Sequence, residues 1–343
     1  MVEKGRDAYF DLLKLIAIFM VVFSHVISYR PGFSFEEMPY YSLNFIMVVN
    51  MPLFFVISGY FSRRLHDSGD WHKMFNRLIT YFWPLAFFGI LTSLLESCIF
   101  HQYPILDVPV VTAKKFFLGG WFFYALASCE VITFCSRKYG KNSWNIFFWR
   151  ACAFIFFLSI SGIVPHASNV VAMLPFYWFG IFVLQRTLDK KWLFVTIGVL
   201  GGGVMICATY LWGGIAENGL SFYWDRFDVW HPEGAKAMNM LARYVIGILG
   251  CVFIMAITRL FSYVVPAVLS LAVLGKETLG VYFLQGYIIK LGSNRVVGLD
   301  SNIIVLLLSS VLVFILSYFI VRLTKRLGLL RQIVWGIKFF DGI

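Results

Sequence analysis

The chain is 343 residues long, 60% hydrophobic and only 14% charged. Soluble domains carry about 25% charged residues, so this composition excludes a soluble globular protein and leaves no room for a large soluble domain. The formal net charge of +11 would suit nucleic acid, but the charge follows loop topology, and no nucleic-acid partner is expected.

About 20 apolar residues span a bilayer as a helix. About ten such segments are expected, near 8–29, 42–62, 77–98, 114–135, 145–163, 168–186, 191–213, 237–261, 268–291 and 301–322. Lys276-Glu277 interrupts the ninth, so residues 263–275 are also readable as an interfacial helix, with the crossing beginning at Thr278. The expected fold is an all-α polytopic membrane protein, with 1–343 as a single transmembrane domain. Barrel-type alternation is absent. The first segment carries a polar stripe and is followed by no small-residue cleavage site, so it reads as retained rather than as a signal peptide.

That first segment, D-A-Y-F-D-L-L-K-L-I-A-I-F-M-V-V-F-S-H-V-I-S-Y, holds four ionisable residues within a membrane-length run. On a helix Asp11, Lys14 and His25 fall within about 40° of Asp7, and Lys14 and His25 stand about 16 Å apart along the axis. A charge in hydrocarbon costs about 3 kcal/mol on insertion scales, so the stripe should face a bundle interior or a wet cavity. Plainer readings stay open beside this one. A membrane histidine can simply hydrogen-bond across a helix interface, a lysine can snorkel to the surface, and Asp11 can pair with Lys14 at i, i+3.

Loop charge sets the orientation. With a cytoplasmic N-terminus, the inner loops hold Lys4, Arg6, Arg63, Arg64, Lys73, Arg137, Lys138, Lys141, Lys190, Lys191, Arg259, Lys325, Arg326, Arg331 and Lys338. The outer loops hold fewer cations, Arg30, Arg226, Lys236 and Arg295, with Lys114 and Lys115 at a helix start. The positive-inside rule therefore places both termini in the cytoplasm. One long outer loop, 214–236, carries Tyr223, Trp224 and Trp230 with Asp225 and Asp228. Aromatic faces beside carboxylates suit a sugar, and equally an interfacial aromatic belt with solvated acids. The six cysteines form no CxxC pair, so neither zinc nor a disulfide framework is indicated.

D-L-L-K-L-I-A-I-F-M-V-V-F-S-H resembles the first helix of the acyltransferase family 3 membrane proteins, where a basic residue is followed eleven positions later by His. Much of that family has Arg at this position; here it is Lys14, as in members that look like its fucose 4-O-acetylase branch. M-P-L-F-F-V-I-S-G-Y-F at 51–61, W-F-F-Y-A-L at 121–126 and G-K-E-T-L-G-V-Y-F-L-Q at 275–285 resemble further family patches, in family order. Two positions depart from the pattern: Asn50 and Gln285 stand where many relatives have His. Both keep hydrogen bonding but do not titrate near neutral pH.

The resemblance implies an enzyme of the cell (cytoplasmic or inner) membrane. It would move an acyl group, usually acetyl, from cytoplasmic acyl-CoA to a hydroxyl of an extracytoplasmic glycan, with no permanently bound cofactor and no metal. On that basis His25 is expected as general base, with Lys14 and Asp11 completing the charged site. The donor's phosphates call for cations, and Lys14, Arg63, Arg64 and Arg77 are the candidates. Asn50, Trp121, Trp224, Asp225 and Gln285 are the candidate acceptor and thioester contacts. His66, His72, His101, His166 and His231 read as loop residues without a role. A glycan transporter, for which intramembrane polar residues are also expected, and a non-catalytic partner in polysaccharide assembly are the alternatives.

Overall fold

A computed structural model describes residues 7–29, 41–182, 184, 191–210, 212–216, 219–222, 232–293 and 303–335. The helices in chain order are α1 (Ala8–Ser28), α2 (Tyr41–Ser68), α3 (Trp71–Cys98), α4 (Val108–Leu118), α5 (Trp121–Tyr139), α6 (Ser143–Ser159) and α7 (Ala167–Phe182). There follow α8 (Lys191–Tyr210), α9 (Pro232–Val264), a 3-10 helix (Pro266–Glu277), α10 (Thr278–Ser293), α11 (Ile303–Arg326) and α12 (Gly328–Trp335). A helix or part-helix covers each expected apolar segment. Among the described residues, six helices are long and apolar enough to cross a membrane, or seven if one bent pair counts as a span. α6, α7 and the central part of α8 are apolar but shorter.

Three local departures from the expected elements have local causes. The fourth segment is α4 and α5 bent by 50° at Gly119-Gly120, because Gly120 has φ +63°, in the left-handed region that favours glycine. The ninth segment changes type at the position the charges marked: the 3-10 helix ends at Glu277 and α10 begins at Thr278. The all-α expectation holds, and the third departure is local, a short antiparallel hairpin of Trp212–Ala216 with Gly219–Phe222 in the connection after α8. Gly213 and Gly214 disfavour continuing α8 there.

Helix starts use ordinary capping chemistry. Asp7 Oδ1 accepts from the Tyr9 N–H at 2.9 Å at the head of α1. Asp70 Oδ1 accepts from the His72 and Lys73 N–H groups at the head of α3. Pro52, Pro84 and Pro175 lie inside helices, which membrane helices tolerate when neighbouring groups take up the freed backbone.

The described contacts group into two compact units. The first is Met1–Tyr60 with Trp178–Phe319, and the second is Phe61–Tyr177 with Ile320–Ile343. In the first unit α1 is the central element, packed against the 3-10 helix, α9 and α10. Leu13, Ala17, Ile18 and Val22 are wholly buried, so its apolar face meets protein rather than lipid. Tyr9 donates its hydroxyl to the Met255 carbonyl of α9 at 2.8 Å, and the Arg259 guanidinium lies 4.9 Å from the Tyr9 ring centre. In the second unit α12 lies on α3, where Trp83 Nε1 donates to the Ile333 carbonyl and the Phe88 and Trp335 rings meet edge to face.

Candidate active site

The first unit holds the polar stripe of α1. Lys14 Nζ lies 3.2 Å from Asp11 Oδ1; the Asp11 side chain is almost wholly buried and that of Lys14 is 27% exposed. The i, i+3 pairing is therefore real, and it gives the buried carboxylate its counter-ion. Gly275 of the 3-10 helix seats directly on the Asp11 backbone: a Cβ at Gly275 would stand 1.8 Å from the Asp11 carbonyl oxygen. The G-K-E-T patch is thus fitted against the first helix at its charged turn.

Towards the other end of α1, His25 is half-buried. Its Nδ1 lies 2.8 Å from the side-chain nitrogen of Gln285 on α10, and Gln285 is wholly buried. Tyr29 stands edge-on to the imidazole at 6.1 Å between ring centres. Asn50 is next door rather than in contact: its Nδ2 donates to Ser24 Oγ at 3.5 Å, and its Oδ1 accepts from the Met51 N–H at 2.6 Å. Ser24 Oγ donates in turn to the Val21 carbonyl. The structure therefore joins two sequence-distant candidates, His25 and Gln285, and places Asn50 of α2 on Ser24, the residue before His25 in α1.

The second unit holds other candidates. Arg63 pairs with Asp67 at 3.6 Å, both about half-exposed, a geometry of little energetic weight. Arg64 follows in α2, and its side chain lies outside the described ones. Trp121 opens α5, half-buried and edge-on to Phe122. Arg77 is embedded in a network: Nη2 lies 2.8 Å from Glu130 Oε1 and donates to Ser62 Oγ, while Nε donates to the Tyr81 hydroxyl. Glu130 is wholly buried and also accepts from Tyr81 at 2.9 Å and Ser62 at 3.2 Å. Trp224 and Asp225 lie outside the described residues.

This second network was not anticipated. Glu130 interrupts the apolar run W-F-F-Y-A-L-A-S-C-E-V-I, and a carboxylate inside a membrane segment is itself the signal that marks a buried polar site. Arg150 in α6 is a second such signal; it is buried, and Nε donates to Ser136 Oγ at 3.0 Å. His66 corrects the loop assignment. It lies within α2, 2% exposed, with its Nε2 3.3 Å from the Tyr177 hydroxyl. His72 likewise lies within α3.

Fold and site together define a multi-pass membrane protein with a charged, histidine-bearing first helix. The family model of the acyltransferase domain matches residues 7–322. The chain belongs to this acyltransferase family. Nodulation protein NolL of Sinorhizobium fredii (strain NBRC 101917 / NGR234) is similar to it, 24% identical over 196 residues that cover 54% of this chain and 51% of that protein. The chain thus spans about half the length of the curated relative it matches. No solved structure matches.

The His25 end of the stripe has the parts of an acid–base centre. An imidazole is tied at one nitrogen to a buried carboxamide, and among the described residues its other nitrogen makes no hydrogen bond. The Asp11–Lys14 end is an ion pair with one member reaching the surface, suited to an anionic or strongly polar group.

Proposed function

We propose that the protein transfers an acyl group, acetyl in the simplest case, from cytoplasmic acyl-CoA to a hydroxyl of an extracytoplasmic carbohydrate. Membership of the acyltransferase family supports the class of reaction. The single observation that carries the chemistry is the His25 imidazole held by buried Gln285 at 2.8 Å on the central helix of its unit. A sugar hydroxyl is a poor nucleophile, and an imidazole takes its proton as it attacks the thioester.

In this reading the chain crosses the cell (cytoplasmic or inner) membrane about ten times. The crossings are the six long helices, the bent α4–α5 pair, and α6, α7 and α8, with both termini in the cytoplasm. Lys14, Arg63, Arg64 and Arg77 meet the donor's phosphates and pantetheine. Arg77 does so through Nη1, whose donors its Glu130, Ser62 and Tyr81 bonds leave over. Asp11 keeps Lys14 in place. Asn50, Trp121, Trp224 and Asp225 contribute to the acceptor side, and acyl-CoA is a co-substrate rather than a resident cofactor.

The test is transfer and slow hydrolysis of radiolabelled acetyl-CoA by purified protein in detergent. His25→Ala should abolish turnover while leaving folded protein. Lys14→Ala should weaken donor affinity, and Lys14→Arg should be the mildest change at that position. Equal turnover in wild type and His25→Ala would remove the proposed base. Absence of both binding and turnover in well-folded wild type would remove acetyl-CoA as donor.

A further inference from the structure

The contact between His25 and Gln285 has two possible directions, and they are chemically opposite. The oxygen and NH2 ends of a carboxamide are isosteric, so the heavy-atom separation of 2.8 Å accommodates either end facing Nδ1. If the NH2 donates to Nδ1, the imidazole proton must sit on Nε2, and the nitrogen turned away from Gln285 has no lone pair to offer a hydroxyl. If the oxygen accepts from Nδ1–H, Nε2 is bare and basic. The end of the Gln285 carboxamide facing away from His25 is buried, with no hydrogen-bond partner among the described residues.

We propose that Gln285 is a positioning residue that accepts the Nδ1 proton of His25 on its side-chain oxygen, so that Nε2 is the nitrogen that takes the acceptor's proton. The proposal rests on the reading of His25 as general base. Among the described residues Nε2 makes no hydrogen bond, and the His25 residue as a whole is half-buried. In this orientation the Gln285 NH2 occupies the buried unpartnered position, a donor suited to the carbonyl oxygen of a bound thioester. A neutral carboxamide orients the ring without adding a second charge to a low-dielectric site.

The step balances. The acceptor oxygen forms the new C–O bond as its proton moves to Nε2, giving an imidazolium whose Nδ1–H stays on Gln285. The C–S bond then breaks, the Nε2 proton passes to the CoA thiolate, and His25 returns to the tautomer it began with.

The experiment is 15N NMR of histidine-labelled full-length protein in micelles, with the His25 resonances identified by their loss in His25→Ala. The wild type should show protonated Nδ1 and pyridine-type Nε2. Gln285→Leu should lose that preference, and kcat should fall about a hundredfold with the donor KM unchanged. Gln285→Glu, which accepts but cannot donate, should keep the Nδ1–H that Gln285→Leu loses. An Nε2–H tautomer in the wild type overturns the proposal, as does wild-type kcat in Gln285→Leu or loss of the Nδ1–H in Gln285→Glu. If Gln285→Leu does not fold, the wild-type spectrum decides alone. The spectrum needs no turnover, so the proposal can fail while His25→Ala still abolishes transfer, and the reverse outcome removes the base itself.

Discussion

Arg77 was expected from sequence as a phosphate ligand, and its surroundings predict that its loss will show first in stability. Glu130 is wholly buried, and its Oε1 accepts from Arg77, Tyr81 and Ser62. Arg77→Leu removes the counter-ion and two further hydrogen bonds, to Ser62 and Tyr81, while the carboxylate stays buried. Breaking a buried pair from one side costs about 3–5 kcal/mol. Glu130→Gln keeps an acceptor for Tyr81 and Ser62 and leaves a guanidinium that is 27% exposed, so its cost should be smaller, about 1–3 kcal/mol. The double variant Arg77→Leu/Glu130→Leu removes both charges and should recover most of the loss, since apolar replacement of a buried pair is often near neutral. Unfolding free energies from SDS titration in mixed micelles, with acyl-CoA affinity measured on the same samples, provide the assay. Arg77→Leu within about 0.5 kcal/mol of wild type, with a double variant no better than the single, would refute the reasoning.

Two further outcomes follow from backbone geometry. Gly275→Ala places a Cβ against the Asp11 carbonyl, at 1.8 Å from its oxygen and 2.7 Å from its carbon. Backbone cannot swing aside as a side chain can, so the 3-10 helix and α1 must part, at a cost of about 1–3 kcal/mol; an unchanged thermal midpoint would deny the close approach. At the head of α3, the Lys73 N–H and then the His72 N–H hold the Asp70 carboxyl below the usual range. Its folded pKa is thus lower than its unfolded one, so the cap's contribution is present above the ordinary aspartate range and disappears as pH falls through the depressed value. Asp70→Ala should melt below wild type at neutral pH and converge with it in acid; a difference that persists in acid would contradict this.

The polar stripe of the candidate site could be read from the chain because α-helical periodicity alone stacks Asp11, Lys14 and His25 on one face. Lys276-Glu277 likewise marked where the ninth segment changes from 3-10 to α-helix, since two adjacent charges do not sit comfortably in an apolar crossing. The bend at Gly119-Gly120 and the place of His66 were less legible. Hydropathy registers how apolar a stretch is, not the φ of one glycine or where a helix ends.

The amino-acid sequence by itself determined that this is a helical membrane protein with a charged first helix, because apolar length and helical spacing are local properties. Only the tertiary structure decided that Gln285, 260 residues away in the chain, is the partner of His25. It alone decided too that Arg77 answers a buried carboxylate 53 residues further on (Glu130; 130 − 77 = 53). Hydrogen bonds and ion pairs depend on separations of about 3 Å, and packing, not sequence distance, sets which groups come that close.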